Sequence, residues 1–155
     1  LKIAHDKMQR VLAEEWQNRD QKIPLRSPYQ ALILASIVEK ETAAVEERKQ
    51  IAGVFTRRLL KGMLLQTDPT VIYGMGDDYH GDIKSKDLRE PTPYNTYVIE
   101  GLPPTPIAMP GKHAINAALH PEDGDALFFV SRGNGHHVFS ATLAEHEKYV
   151  DQYQK

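Results

Sequence analysis

Cysteine is absent from the 155 residues. Thiol nucleophiles, cysteine-ligated zinc, iron–sulfur clusters and disulfides are therefore all excluded. The same absence suits an oxidising compartment, although many cytosolic chains share it. No run approaches the roughly 20 apolar residues of a membrane span, and no signal-peptide pattern is present. An excess of charge of one sign is also missing. With a formal net charge of -2, the chain lacks the basic field of a phosphate-backbone binder, so nucleic acid is not an expected partner. What is there is 41% hydrophobic and 26% charged residues, the composition of a folded chain rather than a disordered one. The length fits one domain over residues 1–155 with a real hydrophobic core. The chain begins at Leu1 rather than Met and reads as a fragment of a longer protein.

Helical periodicity opens the chain: Leu1, Ala4, Met8, Val11, Leu12 and Trp16 share one face, which predicts an amphipathic helix to about Gln17. After a polar loop with Pro24, Ser27-Pro28-Tyr29-Gln30 carries the signals of a helix start. Ser27 can cap, Pro28 suits the first helical position, and Gln30 completes a capping box. The residues that follow, Ala31 to Val38, are apolar on every side, as in a buried helix. That helix runs into Glu39-Lys40-Glu41-Thr42. Glu46 to Lys61 reads as another amphipathic helix, with Ile51, Val54, Phe55 and Leu59 inward and Gly62 as its terminator.

Between Gly62 and Gly111 the texture changes. Prolines and glycines crowd the segment, yet it also holds Tyr73, Tyr79, Tyr94 and Tyr97 among amide and hydroxyl side chains. An ordered loop region is expected, of the kind that carries function. Lys112 to Leu119 reads as a short helix. Ala126–Ser131 and His137–Ser140 read as hairpin strands around Arg132-Gly133-Asn134-Gly135, and Thr142 to Gln152 as a closing helix. The expected fold class is α+β: N-terminal helices, one of them buried, then a loop-rich middle, a small antiparallel hairpin-based sheet and a C-terminal helix.

Glu41 is the most chemical of the carboxylates. On a continuing helix it would face Ile37 and Val38 behind and Ala44 and Val45 ahead. In that apolar wall its proton would be held more tightly, as a general acid at neutral pH requires. Glu39 faces smaller, more polar neighbours and stands as the fallback. The plainer alternative is that both glutamates end a helix on a solvated face. Asp68, Glu100 and Glu39 are the candidates for a second carboxylate of glycosidase chemistry. For Asp68, placed before Pro69, a purely structural Asx-turn is the competing reading. The seven histidines do not form a metal motif: His136 and His137 on a strand would point to opposite faces, and His113 and His120 have no evident third ligand. Tyr73-Gly74-Met75-Gly76 lacks the third glycine of a dinucleotide fingerprint and any P-loop lysine. Neither a metal nor a cofactor is expected. The tyrosines beside Gln66, Asn95 and Thr96 suit a sugar, whose rings offer an apolar face and a hydrogen-bonding rim, although each residue alone is more often structural.

Several segments taken together resemble a known family. Ala35-Ser36-Ile37-Val38-Glu39-Lys40-Glu41-Thr42, Leu65-Gln66-Thr67-Asp68-Pro69-Thr70-Val71-Ile72-Tyr73-Gly74, and Tyr94-Asn95-Thr96-Tyr97 before Gly101-Leu102-Pro103-Pro104 closely resemble the endolytic murein transglycosylases (YceG-like, also MltG). Pro110-Gly111, His120-Pro121, Phe128-Phe129-Val130 and His137-Val138-Phe139 fit the same pattern in order. The resemblance implies cleavage of the MurNAc–GlcNAc β-1,4 bond of peptidoglycan without water, leaving 1,6-anhydroMurNAc ends. It implies Glu41 as the catalytic acid and then base, in a Glu-Thr pair that looks like the Glu-Ser of other lytic transglycosylases. By position it puts Gln66, Thr67, Asp68, Tyr73, Asn95, Thr96 and Tyr97 along the glycan cleft. It further implies glycan strands and class A penicillin-binding proteins as partners. A membrane-spanning segment and a LysM-like region would stand before this part, holding the whole protein at the inner membrane facing the wall and leaving the fragment itself soluble. A peptidoglycan-binding module that does not cleave, and a wall-synthesis scaffold, are the competing functions.

Overall fold

The computed structural model describes residues 2–154. Leu1, counted above in the first apolar stripe, lies outside the described residues. The order of elements is α1 (Lys2–Gln17), α2 (Pro28–Glu41), a 3-10 turn (Val45–Glu47), α3 (Arg48–Lys61), α4 (Asp68–Met75), a second 3-10 turn (Gly76–Asp78), α5 (Ser85–Arg89), α6 (Lys112–Leu119), β1 (Phe128–Ser131), β2 (His137–Ser140) and α7 (Leu143–Gln154). This is the α+β class the sequence predicts. Among the described residues no helix is long and apolar enough to cross a membrane.

Helix α2 is the axis of the core. Every residue from Ala31 to Val38 is buried, because α1, α3, α4 and α6 pack around it on several sides. That is why its sequence shows no polar face. Leu34 and Ile37 are 0% exposed and Phe55 of α3 is 1% exposed; burial of each such side chain is worth about 1.5–3 kcal/mol. Helix α1 lays Met8, Val11, Leu12 and Trp16 on this core, while Ala4, before the packed stretch, is exposed.

The start of α2 differs in detail from a capping box. Ser27 Oγ accepts the Gln30 N–H at 3.2 Å, but Gln30 Oε1 reaches back to the Arg26 N–H at 2.8 Å, one residue before the cap. Helix α3 ends at Gly62, whose φ of 72° is the left-handed conformation a glycine C-cap adopts. Its start is tightened into a 3-10 turn, so regular α-helix begins at Arg48 rather than Glu46.

The segment from Gly62 to Gly111 is not simply loop. It contains α4 and α5. Asp68-Pro69, expected in a turn, instead opens α4: Pro69 needs no N–H in the first turn, and Asp68 puts negative charge at the positive helix end. Gly74 lets α4 approach the chain at Thr92–Tyr94; a Cβ there would lie 2.8 Å from Thr92 Oγ1 and 3.2 Å from Tyr94 Cβ. The hairpin is antiparallel, pairing Phe128 with Ser140 and Ser131 with His137. Helix α7 packs across it.

Candidate active site

Helix α2 stops at Glu41 because Thr42 turns to an extended conformation (φ -147°) and its Oγ1 accepts the Ala44 N–H at 2.9 Å. Ala44 and Val45 therefore do not continue the wall ahead of Glu41 as a longer helix would have them do, and Val45 is 56% exposed. The dry setting comes from elsewhere. Glu41 borders a cavity of about 740 Å³ together with Val54, Arg58, Leu65, Gln66, Asp68 and Tyr97. Strand β1 from Phe128 to Ser131, His137, and the inner side of α7 (His146, Val150 and Asp151 among others) close its other sides.

The carboxyl of Glu41 is tuned by three effects. Burial disfavours its charge and is the largest. A hydrogen bond from Thr67 Oγ1 to Glu41 Oε2, 2.8 Å, works the other way by stabilising the carboxylate. The nearby negative charge of Asp68 adds to the upward push. The balance raises the pKa from 4.5 to about 7, so the group holds or releases a proton near neutral pH.

Thr67 is itself held in place. Its N–H donates to Thr96 Oγ1 at 2.9 Å, and its carbonyl accepts from Thr70 Oγ1 at 2.8 Å. The Thr70 and Thr96 hydroxyls are 2.8 Å apart. Thr67, Thr70 and Thr96 are all buried, so this hydroxyl network is satisfied internally. Gln66 beside it carries a positive φ of 49° and donates its N–H to the Thr96 carbonyl at 3.1 Å. A non-glycine residue in that region stores backbone strain. Here the strain leaves the exposed Gln66 side chain on the cavity rim.

The residues expected along a cleft thus separate into three groups. Gln66, Asp68 and Tyr97 line the cavity with Glu41, and Tyr97 Oη donates to Asp68 Oδ1 at 2.6 Å. That contact, rather than the competing Asx-turn, engages the Asp68 carboxylate. Burial and the Asp68 carboxylate raise the Tyr97 pKa, so its hydroxyl keeps its proton. Thr67 and Thr96 stand behind the cavity, acting on Glu41 through hydrogen bonds. Asn95 and Tyr73 have other surroundings. Asn95 is 1% exposed; its Nδ2 donates to the carbonyls of Asp87, Leu88 and Glu90, and its Oδ1 accepts the Tyr97 N–H at 2.9 Å. Tyr73 packs against Tyr94 with the rings tilted at 55° and centroids 4.8 Å apart, and borders a separate, smaller groove with Met8, Leu32 and Met109.

Glu39 faces away from this cavity. Its Oε1 accepts the Gly111 N–H at 2.7 Å, at the N-terminus of α6, and its Oε2 lies 3.4 Å from Arg48 Nη2. It ties α2 to α6.

Arg58, Phe128, His137 and His146 also line the cavity, although none of them is among the cleft residues expected from sequence. Arg58 was legible: it falls one turn after Val54 and Phe55 on the inward face of α3. Its Nε donates to the Leu127 carbonyl and its Nη1 to the Leu64 carbonyl, both at 2.7 Å, while its guanidinium lies 4.9 Å from the Phe128 ring centre. His146 stacks on the same ring at 4.9 Å, and burial followed by the charge of Arg58 lowers its pKa. The expectation that His136 and His137 point apart fails, because β2 begins only at His137 and His136 belongs to the turn. Both bring Nδ1 to Glu47: His137 at 2.8 Å from Oε1 and His136 at 3.5 Å from Oε2. Among the described residues no group of three or more His, Asp or Glu side chains is placed to hold a metal.

The fold and cavity together define a helix-rich α+β protein with a buried carboxyl of raised pKa, Glu41, at the wall of an open cleft. The chain belongs to the YceG-like family, whose model matches residues 1–152. It is 46% identical over 128 residues to an endolytic murein transglycosylase of Bacillus subtilis (strain 168), covering 82% of this chain and 35% of that protein. It is 35% identical over 127 residues to one of Streptococcus pneumoniae serotype 2 (strain D39 / NCTC 7466), covering 79% of this chain and 23% of the relative. A crystal structure of a yceG-like protein from Listeria monocytogenes superimposes with a TM-score of 0.78 at 40% identity, over 95% of this chain and 45% of that one. The chain thus spans about a third or less of the length of the curated relatives it matches.

Proposed function

We propose that this chain is the cleaving part of an endolytic murein transglycosylase, with Glu41 as its acid and base. The observation that carries the reading is the buried carboxyl of Glu41, its pKa raised to about 7, bordering a cavity of about 740 Å³. The relatives named endolytic murein transglycosylase supply the substrate, peptidoglycan. Protonated Glu41 donates to the glycosidic oxygen of a MurNAc–GlcNAc β-1,4 bond as positive charge develops at the MurNAc anomeric carbon. The C6 hydroxyl of the same MurNAc then attacks that carbon and gives its proton to the Glu41 carboxylate. The products are a free GlcNAc 4-hydroxyl and a 1,6-anhydroMurNAc end, and Glu41 returns to its starting state. One group with a pKa near neutrality serves both steps. Gln66, Asp68 and Tyr97 contact the glycan in this reading, and Thr67 and Thr96 set the proton affinity of Glu41.

Asp68 supports a second reading. It shares the cavity with Glu41 and is the carboxylate a hydrolytic mechanism would use to activate water. Digestion of peptidoglycan in water enriched in oxygen-18 separates the two. Transglycosylation leaves new MurNAc ends unlabelled and lighter by one water, whereas hydrolysis adds one labelled oxygen to each. Binding without any new ends would instead favour a glycan-binding module or a scaffold. The family resemblance adds an inner-membrane anchor and class A penicillin-binding proteins as partners of the whole protein; crosslinking in cells carrying the full-length gene tests both.

A further inference from the structure

The Glu47 carboxylate binds one residue twice. Its Oε2 accepts the backbone N–H of His137 at 2.9 Å, and its Oε1 lies 2.8 Å from the same residue's Nδ1. A carboxylate only accepts, so the second contact requires a proton on Nδ1. Neutral His137 is then the tautomer with a lone pair on Nε2. Burial alone would push the Glu47 carboxyl up, but the hydrogen bonds from His137 and the charges of His137 and His136 outweigh it and hold the pKa below its usual value. Phe129 meets the imidazole edge-on at 5.4 Å. The ring is fixed on its Nδ1 side and on one flank.

Its other nitrogen is not used by the fold. Nε2 of His137 has no hydrogen-bond partner among the described residues, and it is not one of the buried polar atoms left without a partner. It therefore keeps some accessible surface, and His137, whose side chain is 10% exposed, lines the Glu41 cavity. A strut joining β2 to the Val45–Glu47 turn would need only the Nδ1 contact. Orienting an imidazole through one nitrogen while leaving the other open to a cleft is how a protein fixes an acceptor for a ligand.

We propose that His137, oriented by Glu47, is a substrate-contacting group of the Glu41 cavity: its Nε2 accepts a hydrogen bond from a hydroxyl or N-acetyl N–H of a bound amino-sugar strand. This rests on the glycan reading of the cavity and adds a residue to it. Glu47 touches no sugar in this scheme and is a positioning residue.

The test uses peptide-free glycan strands and the Glu41→Gln chain, so that the ligand survives. Long-range proton–nitrogen NMR at mildly alkaline pH identifies the tautomer of His137. The expected spectrum shows Nδ1–H with a free Nε2, and saturation with glycan shifts the Nε2 resonance upfield as it becomes an acceptor. His137→Asn retains an amide donor where Nδ1 stands but deletes Nε2. In the same background it should bind strands roughly threefold to tenfold more weakly with an unchanged melting temperature. His137→Gln, which restores a polar atom near Nε2, should recover part of the loss. If glycan shifts the amide signals of Gln66 and Tyr97 while Nε2 stays still and His137→Asn binds undiminished, His137 is only a strut and the glycan reading stands. If glycan shifts nothing in the cavity, both readings fall.

Discussion

Thr67 donates its hydroxyl to Glu41 Oε2 at 2.8 Å across 26 residues of sequence, joining the end of the core helix to the segment that begins α4. The contact opposes the burial of Glu41, and Asp68, the next residue after Thr67, reinforces that burial through its charge. Neighbouring side chains therefore pull the same proton in opposite directions.

That opposition predicts opposite pH effects. A general acid is active while protonated, so cleavage falls as pH rises through the Glu41 pKa. Thr67→Val removes the bond that stabilises the carboxylate and should move the alkaline limb of the rate profile upward from about 7. Asp68→Asn removes a negative charge and should move it downward. Rates of muropeptide release across a pH series check both signs; limbs that move together contradict the account.

Glu41 also makes stability depend on pH. Between the unperturbed pKa of 4.5 and the folded value of about 7, the unfolded chain has lost this proton while the folded chain keeps it. Stability from this group is full below that window and declines as pH rises through it. The full shift corresponds to about 3 kcal/mol as an upper figure. Glu41→Gln should therefore melt higher than the parent in alkaline buffer, with the difference closing in acid. Calorimetry across the range measures it, and a pH-independent difference counts against the raised pKa.

Glu39 is expected to matter for stability rather than chemistry. Its carboxylate accepts the Gly111 N–H at the positive end of α6. Glu39→Ala should cost about 1–2 kcal/mol in urea unfolding and leave the nature of the glycan products unchanged. Loss of all cleavage in a folded Glu39→Gln protein would return it to candidacy as the acid.

Asn95 is predicted to act through folding. Its amide satisfies several carbonyls of the Asp87–Glu90 segment and holds the Tyr97 backbone. Asn95→Ala removes these partly buried bonds and leaves a cavity where the buried amide stood, at about 3 kcal/mol. Activity should decline with the folded fraction measured by circular dichroism; a fully folded Asn95→Ala protein with no glycan affinity would make it a contact residue instead.

The sequence was most legible where one local rule governs. The apolar run Ala31–Val38 read as a buried helix, Gly62 as its neighbour's terminator, and the Gly-rich turn between aromatic runs as a hairpin. It misled where tertiary contacts decide. Asp68-Pro69 carries turn chemistry and helix-start chemistry at once, and packing of α4 against α2 favours the helix. The helix carrying Glu41 stops one residue later at Thr42, so its apolar surroundings come from α3 and Leu65 and not from the next turn of its own helix. His136 and His137 share Glu47 because the strand begins between them. No periodicity reports such a boundary. The hydroxyl network of Thr67, Thr70 and Thr96 was visible only as composition, since hydrogen-bond geometry between distant segments leaves no spacing signal.

The most direct measurement is mass spectrometry of peptidoglycan ends after digestion by this chain and by its Glu41→Gln variant. The account predicts 1,6-anhydroMurNAc ends, lighter by one water, from the parent alone, with the variant folded and inert. Equal yields of such ends from both proteins, or ordinary reducing ends from the parent, would contradict it.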